Sequence, residues 1–551
     1  MRDLILKHTL ANAVEHGGKA EVQAVLGRVI AEKPELRNKI KEMIQEIKEV
    51  VKEVNSWSAK KQKNQMKKFK IKTKKEKVEG ELPELPNVVA GKVVMRLAPY
   101  PSGPLHIGNA RMVLLNDEYA KRYKGKLFLI IDDTIGSEEK FIIPEAYDLI
   151  LDGLKWLGVK YHEMVYKSGR MEIFYKYAEE LIQKNIAYVC VCPEEILREN
   201  RKNGVECNCR KNSVESNLDL WKKMFETFEE GEAVLRLKTD MRYPNPAFRD
   251  RVLLRIADRD HPRVDRKYRV WPMLEFSWAI DDHVFGISHI LRGKDLVMED
   301  MMEEFIWKKL GWKKSEFVHY GMLNIEEAKL SKTESRKAIE IGKYSGWDDP
   351  RTWSLQSLRR RGIQPEAIRK FIIGMGLSLA DVSVPAEILY AENRKIIDSE
   401  SNRYFAVLNP VRISVENFPK IKEAKIPLHP DFSKRGSRKI TVDGDKIYVE
   451  KNDFEKFERK EVGLINLLSV KLKKEAEITS RKVKMGIQKI HWVSEPNVKI
   501  KVVMPDGSVK EGIAESSIKH LKENQLVQLV RLGFCRVDKI DKDIVLYYAH
   551  K

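Results

Sequence analysis

The alternation of short apolar runs with amphipathic helices after about residue 88 constrains the fold of this chain more than any other feature. Residues 92–99 (KVVMRLAP) predict a buried strand, residues 110–123 (ARMVLLNDEYAKRY) a helix, and residues 126–131 (KLFLII) a second strand. A strand, a crossover helix and another strand form a parallel sheet, whose ligands bind beyond the carboxyl ends of the strands. We therefore expect a multidomain α/β protein with a parallel-sheet domain over residues 88–340.

The regions before this domain and within it differ in composition and in hydrophobic pattern. Residues 1–57 carry apolar residues at helical spacing and predict a small helical module. Lysine dominates residues 58–77, which predict a linker or a basic arm within a connection over residues 58–87. Mixed structure at about residues 190–260 predicts a domain inserted into the parallel sheet.

The sequence pattern changes twice within the last 211 residues. Residues 341–412 predict a helical connector, in which TWSLQSLRRRG and PEAIRKFIIGMG each form a helix. Residues 413–551 alternate in period two around Asp-Gly turns, as in RKITVDGDKIYVE and KIKVVMPDGSVKEGIAE. This pattern predicts hairpins of a β-barrel or sandwich.

The length and charge of the chain limit its class. A chain of 551 residues corresponds to three or four domains, and its net charge of +20 favours a polyanionic partner such as a nucleic acid. A surface charged for solubility is the alternative explanation. No apolar run is long enough to span a bilayer, and charges interrupt the N-terminal MRDLILKHTL, so we expect a cytoplasmic protein.

Two motifs point to nucleotide chemistry. The first runs from Arg96 to Arg111 between the first strand and its helix, where Gly103 and Gly108 allow close approach of a nucleotide. The helix that begins near Gly108 offers free N–H groups to a phosphate, to which His106 can also donate. The second contains Lys329 and Lys332, which together can neutralise a triphosphate. Taken singly, His106 could be a capping or packing residue and the lysines an ordinary basic loop.

Four cysteines in the expected insertion form two Cys-x-Cys pairs, Cys190 with Cys192 and Cys207 with Cys209. In a reducing compartment this spacing favours a structural zinc site over disulfides, with four free thiols as the alternative. Cys535 stands alone in the C-terminal region, where we expect a buried small hydrophobe.

The ordered pair of motifs resembles the HIGH and KMSKS signatures of class I aminoacyl-tRNA synthetases. They stand here as His106-Ile107-Gly108-Asn109 and Lys329-Leu330-Ser331-Lys332-Thr333, with Asn109 and Thr333 as departures at the last positions. The segments at residues 132–134, 280–295, 346–351 and 358–362 are similar to the glutamyl/glutaminyl subgroup, with archaeal-type glutamyl enzymes as the nearest likeness. The resemblance covers the chain from about Val89 onward and implies a Rossmann-like catalytic domain with an acceptor-binding insertion and C-terminal β-barrels.

The resemblance also implies a reaction, a set of ligands and site residues. The reaction is activation of L-glutamate with ATP and Mg²⁺, followed by transfer to the 3′ end of tRNA(Glu), with tRNA(Gln) as a further acceptor left open. Catalysis is expected from His106, Lys329 and Lys332. The implied ATP-binding residues are Pro99, Gly103, His106, Gly108, Asn109, Lys329, Leu330, Ser331 and Lys332. The implied glutamate-binding residues are Arg96, Ser102, Asp132 and Arg292.

Within this resemblance, Arg292 favours glutamate over glutamine, because its guanidinium pairs with the substrate γ-carboxylate. The neutral amide of glutamine would leave the charge of the guanidinium unpaired. Asp132 is expected on the α-ammonium group. Many relatives carry Tyr-Asp-Phe where this chain has Leu274-Glu275-Phe276, so a tyrosine hydroxyl expected near the substrate is missing. The residue that replaces it stays unassigned at this point.

The tRNA is expected to run from the insertion to the barrels, with phosphate contacts from Arg351, Arg359, Arg360 and Arg361. The role of residues 1–57 is open between docking of a protein partner, which we favour, and contact with tRNA. Three rival functions remain: a glutaminyl enzyme, a non-catalytic RNA-binding protein that kept the fold, and another nucleotidyltransferase.

Overall fold

The computed structural model describes residues 2–15, 18–32, 40–67, 69, 82–136 and 141–551. The chain divides into two compact units, Met1–Glu81 and Leu82–Lys551. Within the described ranges, no helix has both the length and the apolar content needed to cross a membrane.

The N-terminal unit is helical and has its own apolar core. Its described helices are Arg2–Glu15, Val22–Glu32, Ile40–Asn55 and Ala59–Lys67. The last of these departs from the expected linker after residue 57, because Gln62 and Met66, four residues apart, both face the core. The side-chain amide of Gln62 donates to the carbonyl oxygens of Gly18 and Val54 at 2.9 and 2.8 Å. The rest of the lysine-rich stretch, residues 68 and 70–77, lies outside the described residues, as do residues 78–81.

The second unit begins with a parallel sheet, as the alternation of strands and helices predicts. Strand Val94–Leu97 pairs with Lys126–Ile131, which pairs in turn with Glu163–Tyr166, all in parallel. The parallel pair His289–Gly293 and Glu316–Tyr320 lies on the other side of the first strand, where the backbone N–H of Val94 donates to the Ser288 hydroxyl and that of Ser288 to the Val94 carbonyl. The resulting order 3-2-1-4-5 places the end of the first strand at the topological switch point.

Helices cover both faces of this sheet. They are Ile107–Arg122, Pro144–Trp156, Met171–Gln183, Leu274–Val284 and Val297–Leu310. Every residue of Leu127–Ile131 is buried, as expected for a strand that is covered on both faces.

The inserted domain is an antiparallel four-stranded sheet with two helices. Its strands are Ala187–Cys190, Val234–Leu237, Val252–Ile256 and Val270–Pro272, and its helices are Glu194–Asn203 and Val214–Glu226. The sheet therefore extends beyond the expected limits of about 190 and 260 at both ends.

The connector contains both helices expected there, Leu355–Arg361 and Pro365–Gly374. Strand Leu323–Ile325, which precedes the connector, pairs in parallel with Val382–Val384. Along the chain, one further helix, Lys332–Glu340, precedes the two connector helices, and another, Glu387–Ile397, follows them.

The C-terminal region forms two seven-stranded sheets, each with its own core. The strands of the first, in spatial order, are Asn402–Tyr404, Leu526–Leu529, Gly533–Ile540, Ile544–His550, Asn497–Val503, Val509–Glu515 and Ala406–Val407. Those of the second are Lys489–Ile490, Glu461–Leu464, Ser469–Lys471, Glu475–Ser480, Pro410–Val415, Ile447–Glu450 and Val493–Ser494. A separate hairpin, Glu423–Pro427 with Ser437–Thr441, and the helix Lys451–Phe457 complete the region.

One of the expected hairpins forms and another does not. Asn497–Val503 pairs with Val509–Glu515 in antiparallel register, as predicted. In RKITVDGDKIYVE, however, Ser437–Thr441 pairs with Glu423–Pro427, and Ile447–Glu450 pairs with Pro410–Val415. The chain crosses between sheets at Gly444, where an added Cβ would lie 2.3 Å from the Phe418 ring.

Candidate active site and metal centre

His106 begins the helix after the first strand, and its imidazole caps that helix. Nδ1 of His106 accepts hydrogen bonds from the backbone N–H groups of Gly108 at 3.1 Å and Asn109 at 3.4 Å. The Asn109 side-chain oxygen accepts from the backbone N–H of His106 at 3.2 Å, which completes a capping box. A neutral imidazole that accepts at Nδ1 carries its proton on Nε2. Burial and the Lys332 ammonium lower the pKa of His106 to about 3, so the ring stays neutral.

This cap corrects one expectation. The first N–H groups of the helix were expected to be free for a phosphate, but those of Gly108 and Asn109 bond His106, and that of Ile107 donates to the Trp353 carbonyl at 3.1 Å. These three backbone donors already have partners within the protein. An anion bound here would therefore interact with the helix dipole and with the Nε2–H group of His106.

Lys332, from the second motif, lies against the same turn. Its ammonium donates to the Gly103 carbonyl at 3.3 Å, and burial lowers its pKa to about 8. His106 and Lys332 line one small cavity together with Ser331 and Trp347. The two motifs, far apart in sequence, therefore meet at the amino end of the helix Ile107–Arg122.

The other residues of the second motif have distinct positions. The side chain of Lys329 is 78% exposed and pairs with Glu334 at 2.8 Å, so it lies away from the cavity. Ser331 caps the next helix by accepting from the backbone N–H of Glu334. A Cβ at Gly108 would lie 3.3 Å from Leu330 and 3.0 Å from the His106 ring, so glycine permits this close packing.

The connector holds the first motif in place. A Cβ at Gly103, whose φ is +142°, would lie 2.9 Å from the Trp347 ring, so both the backbone angle and the packing favour glycine. The backbone N–H of Leu355 donates to the Leu105 carbonyl at 2.8 Å. Trp347 thus covers the turn that carries His106.

A cavity of about 190 Å³ opens at the carboxyl end of the second strand. Asp132, which is buried, lines it together with Tyr100 and Leu274. The buried Lys167 ammonium lies 3.3 Å from the Asp132 carboxylate, and desolvation lowers its pKa. Pro99 and Ser102 lie in the turn above, where the Pro99 carbonyl accepts from the backbone N–H of Asp132 at 3.0 Å. The pocket offers a carboxylate that can bind an ammonium group.

Arg96 and Arg292 are both buried and both paired within the protein. Arg96 makes a bidentate pair with Asp282, and Arg292 pairs with Asp300 and, at 2.8 Å, with Glu303. Desolvation raises the pKa of Glu303 to about 8, so this carboxyl is mostly neutral near pH 7. NH1 of Arg292 is buried and has no hydrogen-bond partner within the described part of the chain. That N–H group is thus a donor of this side chain without a partner among the described residues, and Arg292 is not among the residues that line the 190 Å³ cavity.

The four cysteines of the insertion form a cluster. Their Sγ atoms all lie within 4.8 Å of one another, with 3.6 Å between Cys190 and Cys207 and 3.7 Å between Cys192 and Cys209. Tetrahedral zinc with bonds of about 2.3 Å requires sulfur atoms about 3.8 Å apart, so the cluster fits this metal. The buried Arg236 guanidinium lies 3.7 and 3.8 Å from the Sγ atoms of Cys190 and Cys207.

A groove of about 670 Å³ lies beside this cluster and adjoins the 190 Å³ cavity. Cys190, Cys192 and Arg201 line one part, and Arg251, Met273 and Glu275 line both the groove and the 190 Å³ pocket. The insertion thus places a groove next to the cavity that contains Asp132.

The arginines of the connector contradict part of the tRNA expectation. Arg361 is fully buried and donates to the Ala549 carbonyl and the Tyr390 hydroxyl at 2.8 Å, so it cannot contact a phosphate. Arg360 bonds Asp538 and Asp348, and Arg351 bonds Asp349. Arg359 also pairs with Asp152 but keeps 41% of its side chain exposed, against 27% for Arg351 and 26% for Arg360. The triple arginine mainly ties the connector to neighbouring elements because acidic side chains and carbonyls face it.

Sequence reasoning missed several residues around the pockets. Lys167, Trp278 and Glu303 are buried beside the expected substrate residues, and Trp347 covers Gly103. None of the four carries a periodicity signal that separates it from an ordinary core or surface residue. Lys167 and Glu303 stand out because they are ionisable residues without exposed surface, and a single sequence does not show burial.

The parallel sheet, with a histidine and a lysine converging at its switch point and a barrel region after it, defines a nucleotide-binding enzyme of the class I synthetase type. Residues 92–399 match the family model described as tRNA synthetases class I (E and Q), catalytic domain. Residues 401–488 and 489–538 match the two models of the anti-codon binding domain of the same group. The first model covers more than half of the chain, which belongs to the class I tRNA synthetases of the E and Q group.

Two curated relatives agree with this assignment. The chain is 42% identical over 557 residues to the glutamate–tRNA ligase of Methanothermobacter marburgensis, with both proteins covered completely. It is 44% identical over 573 residues to the Pyrococcus furiosus glutamate–tRNA ligase, with 100% of this chain and 99% of the relative covered. A solved glutamate tRNA ligase from Elizabethkingia meningosepticum aligns at 19% identity with a TM-score of 0.41, over 56% of this chain and 70% of that one.

Proposed function

We propose that this chain is a glutamate–tRNA ligase, active in the cytoplasm. The glutamate α-carboxylate attacks the α-phosphorus of ATP and pyrophosphate leaves; a hydroxyl of the terminal tRNA ribose then attacks the acyl carbon and AMP leaves. The observation that carries this proposal is the convergence of His106 and Lys332 on one cavity at a helix amino end. The full-length likeness to glutamate–tRNA ligases supports the choice of amino acid.

His106 and Lys332 act by charge stabilisation and not as nucleophiles. His106 donates from Nε2 to a phosphate oxygen, and Lys332 balances charge that develops on the departing pyrophosphate. Lys329 joins them after it leaves Glu334, which holds it 2.8 Å away on the surface. Mg²⁺ carried by the triphosphate supplies further neutralisation of the phosphate oxygens.

Glutamate binds between Asp132 and the two buried arginines. Asp132 accepts the α-ammonium group in the 190 Å³ cavity, while NH1 of Arg292 donates to the γ-carboxylate. Arg96, fixed by Asp282, adds positive potential, and Ser102 lies in the adjoining turn. This set favours glutamate because a neutral amide would leave the Arg292 donor with a weaker partner.

The tRNA follows the groove of the insertion with its single-stranded 3′ end and reaches the barrels with its anticodon. The groove supports this path because it adjoins both the cysteine cluster and the 190 Å³ cavity and contains Arg201, Arg251 and Arg255. Arg359 contributes a phosphate contact. Whether tRNA(Gln) is a second acceptor, and whether the N-terminal unit binds a protein partner, are separate proposals that charging and binding assays address.

Zinc holds the insertion together through Cys190, Cys192, Cys207 and Cys209. The sulfur separations support this proposal, and zinc bound there would supply structure and no chemistry of the reaction. Metal analysis of the wild type and Cys207→Ser tests it: we expect one zinc per chain in the wild type and none retained in the variant. Equal zinc contents would contradict the site.

The decisive experiment for the function is ATP-dependent charging of purified tRNA(Glu) and tRNA(Gln) with glutamate and with glutamine. We expect glutamate on tRNA(Glu), and a loss of at least about 100-fold in kcat for His106→Asn and Lys332→Met, as for other removed transition-state donors. His283→Asn, at an exposed histidine that stacks on Trp312, is the matched control and should keep wild-type rates. Preferential charging of glutamine, or unchanged rates in both site variants, would refute the proposal.

A further inference from the structure

Trp278 lies at the centre of the buried charges beside the amino-acid pocket. Its ring centroid is 4.7 Å from the guanidinium carbon of Arg96, 4.8 Å from that of Arg292 and 5.2 Å from the ammonium of Lys167. The residue belongs to the helix Leu274–Val284 and is 6% exposed. One indole therefore contacts the three cations that surround the expected substrate.

We propose that Trp278 positions Arg96 and Arg292 for the side-chain carboxylate of the substrate and thereby determines selectivity for glutamate over glutamine. The proposal rests on the proposed function and adds to it a residue that touches neither ATP nor tRNA. Trp278 is a positioning residue, because it acts through the two arginines.

The geometry explains why a ring is needed in addition to the acidic partners. Carboxylates bond a guanidinium in its plane, through the N–H groups that a substrate would also use, as Asp282 does with Arg96. An aromatic ring attracts the cation through its π face and leaves in-plane donors free. The indole can therefore fix the two guanidinium groups without consuming the N–H groups that bind substrate.

Nearby acids would otherwise compete for those donors. Glu303 lies 2.8 Å from NH2 of Arg292 and interacts electrostatically with Arg96 as well. Without the ring, Arg292 could turn its NH1 donor toward this carboxyl, and a buried N–H group that has no hydrogen-bond partner within the described residues would be lost to a substrate. The stacking contact therefore preserves a donor for the γ-carboxylate.

Lys167 offers a way to separate this role from a general effect on the pocket. It contacts the same ring but bonds Asp132, the expected partner of the α-ammonium group, which glutamate and glutamine share. If Trp278 acted mainly through Lys167, its loss would weaken both amino acids equally. Action through the arginines weakens glutamate selectively.

The test compares Trp278→Leu and Trp278→Phe in the full-length protein, with kcat and KM measured for glutamate, glutamine and ATP in tRNA charging. We expect the leucine variant to raise KM for glutamate about tenfold and the phenylalanine variant, which keeps a smaller ring face, about threefold. The ratio of kcat/KM for glutamate over glutamine should fall in the same order, with KM for ATP within about twofold of the wild type.

Trp221→Leu is the matched control, because Trp221 is an equally buried indole in the inserted domain and bonds Glu179 at 3.2 Å. It should leave the glutamate-to-glutamine ratio unchanged. If Trp278→Leu lowers the melting temperature too far for assay, the phenylalanine variant decides alone. An unchanged ratio, or equal losses for both amino acids, overturns the role of Trp278, whereas a wild type that charges no glutamate overturns the proposed function itself.

Discussion

At the scale of single residues, the proposed ATP site combines a neutral histidine with a lysine whose charge is easily lost. Burial lowers the pKa of Lys332 to about 8 and that of His106 to about 3, so between these values the lysine is charged and the histidine is not. A site of this kind donates hydrogen bonds from both groups near pH 7 while it carries a single positive charge.

This difference predicts that the pH profile of the reaction has an alkaline limb. As pH rises through about 8, Lys332 loses its proton, so kcat/KM for ATP should fall. Lys332→Arg stays charged and should move the limb above the measurable range, even if its maximal rate is lower. Pyrophosphate exchange in the presence of tRNA between pH 6.5 and 9.5 measures the effect. The same limb in wild type and Lys332→Arg would assign it to another group.

Glu303 predicts a pH dependence of stability. Its pKa rises from 4.5 to about 8 on folding, chiefly through desolvation, so the folded state holds a proton that the unfolded state releases. The stabilisation is complete below pH 4.5 and is lost as pH rises toward 8. Glu303→Gln cannot ionise and should gain about 2–4 °C in melting temperature relative to the wild type between pH 5 and 8.

Glu304→Gln is the control for this prediction, since Glu304 is the next residue in the same helix but has 40% of its side chain exposed, beside Lys314. The difference between this variant and the wild type should not grow with pH. A constant offset for Glu303→Gln over the same range would mean that Glu303 is ionised throughout.

At the scale of elements, the antiparallel sheet of the insertion supplies Cys190 and part of the surroundings of the cysteine cluster. Arg236, on the strand Val234–Leu237, directs NH1 at two sulfur atoms, and its Nε donates to the Asp250 carbonyl at 2.8 Å. The Tyr188 hydroxyl contributes a further contact to Cys207 at 3.5 Å. A buried cation beside thiolates offsets their charge and orients them.

Arg236→Met should therefore weaken zinc binding about tenfold or more while all four cysteines remain. The measurement is competition with a chromogenic chelator, which reports metal affinity independently of tRNA charging. Arg198→Met, on the exposed surface of the neighbouring helix beside Glu194, removes a comparable charge and should leave the affinity unchanged. Equal affinities in all three proteins would show that the guanidinium does not support the metal.

Elements differ in how far sequence predicts them. The strand KLFLII and the helix after His106 follow from apolar spacing, because both bury nearly every apolar residue. The Asp443-Gly444 turn predicts a hairpin equally well, yet its flanking strands belong to different sheets, since pairing partners depend on contacts remote in sequence. The same limit applies to the site: His106 and Lys332 carry motifs, whereas Lys167, Trp278 and Arg236 are recognisable only once burial places them together.

At the scale of the whole molecule, the two compact units predict two separate unfolding events. The described part of Met1–Glu81 has its own core around Ile5, Leu10 and Ile47, so removing it should not disturb the second unit. A protein that starts at Leu82 should keep the melting temperature of the corresponding transition in the full chain and its KM for glutamate. A fall of several degrees would show that the N-terminal unit stabilises the rest.

Fewer cationic side chains are available to a polyanion than the net charge of +20 suggests. Arg351, Arg360 and Arg361 are occupied by acids and carbonyls of the connector and barrels, so part of the +20 charge serves cohesion within the molecule. Charge counted along a sequence therefore overstates the surface that a polyanion can reach. Arg201, Arg251 and Arg255 line the groove proposed for the tRNA, although they too bond carboxylates or carbonyls of the protein.

The cap formed by His106 has a consequence for how this site can change over generations. One ring nitrogen caps a helix, and the proposed reaction uses the other, so a single substitution would affect both folding and turnover. Asparagine could still satisfy the helix end but would present a different donor to the phosphate. A copy of this gene relieved of its reaction could therefore drift to asparagine at position 106 long before it tolerated alanine there.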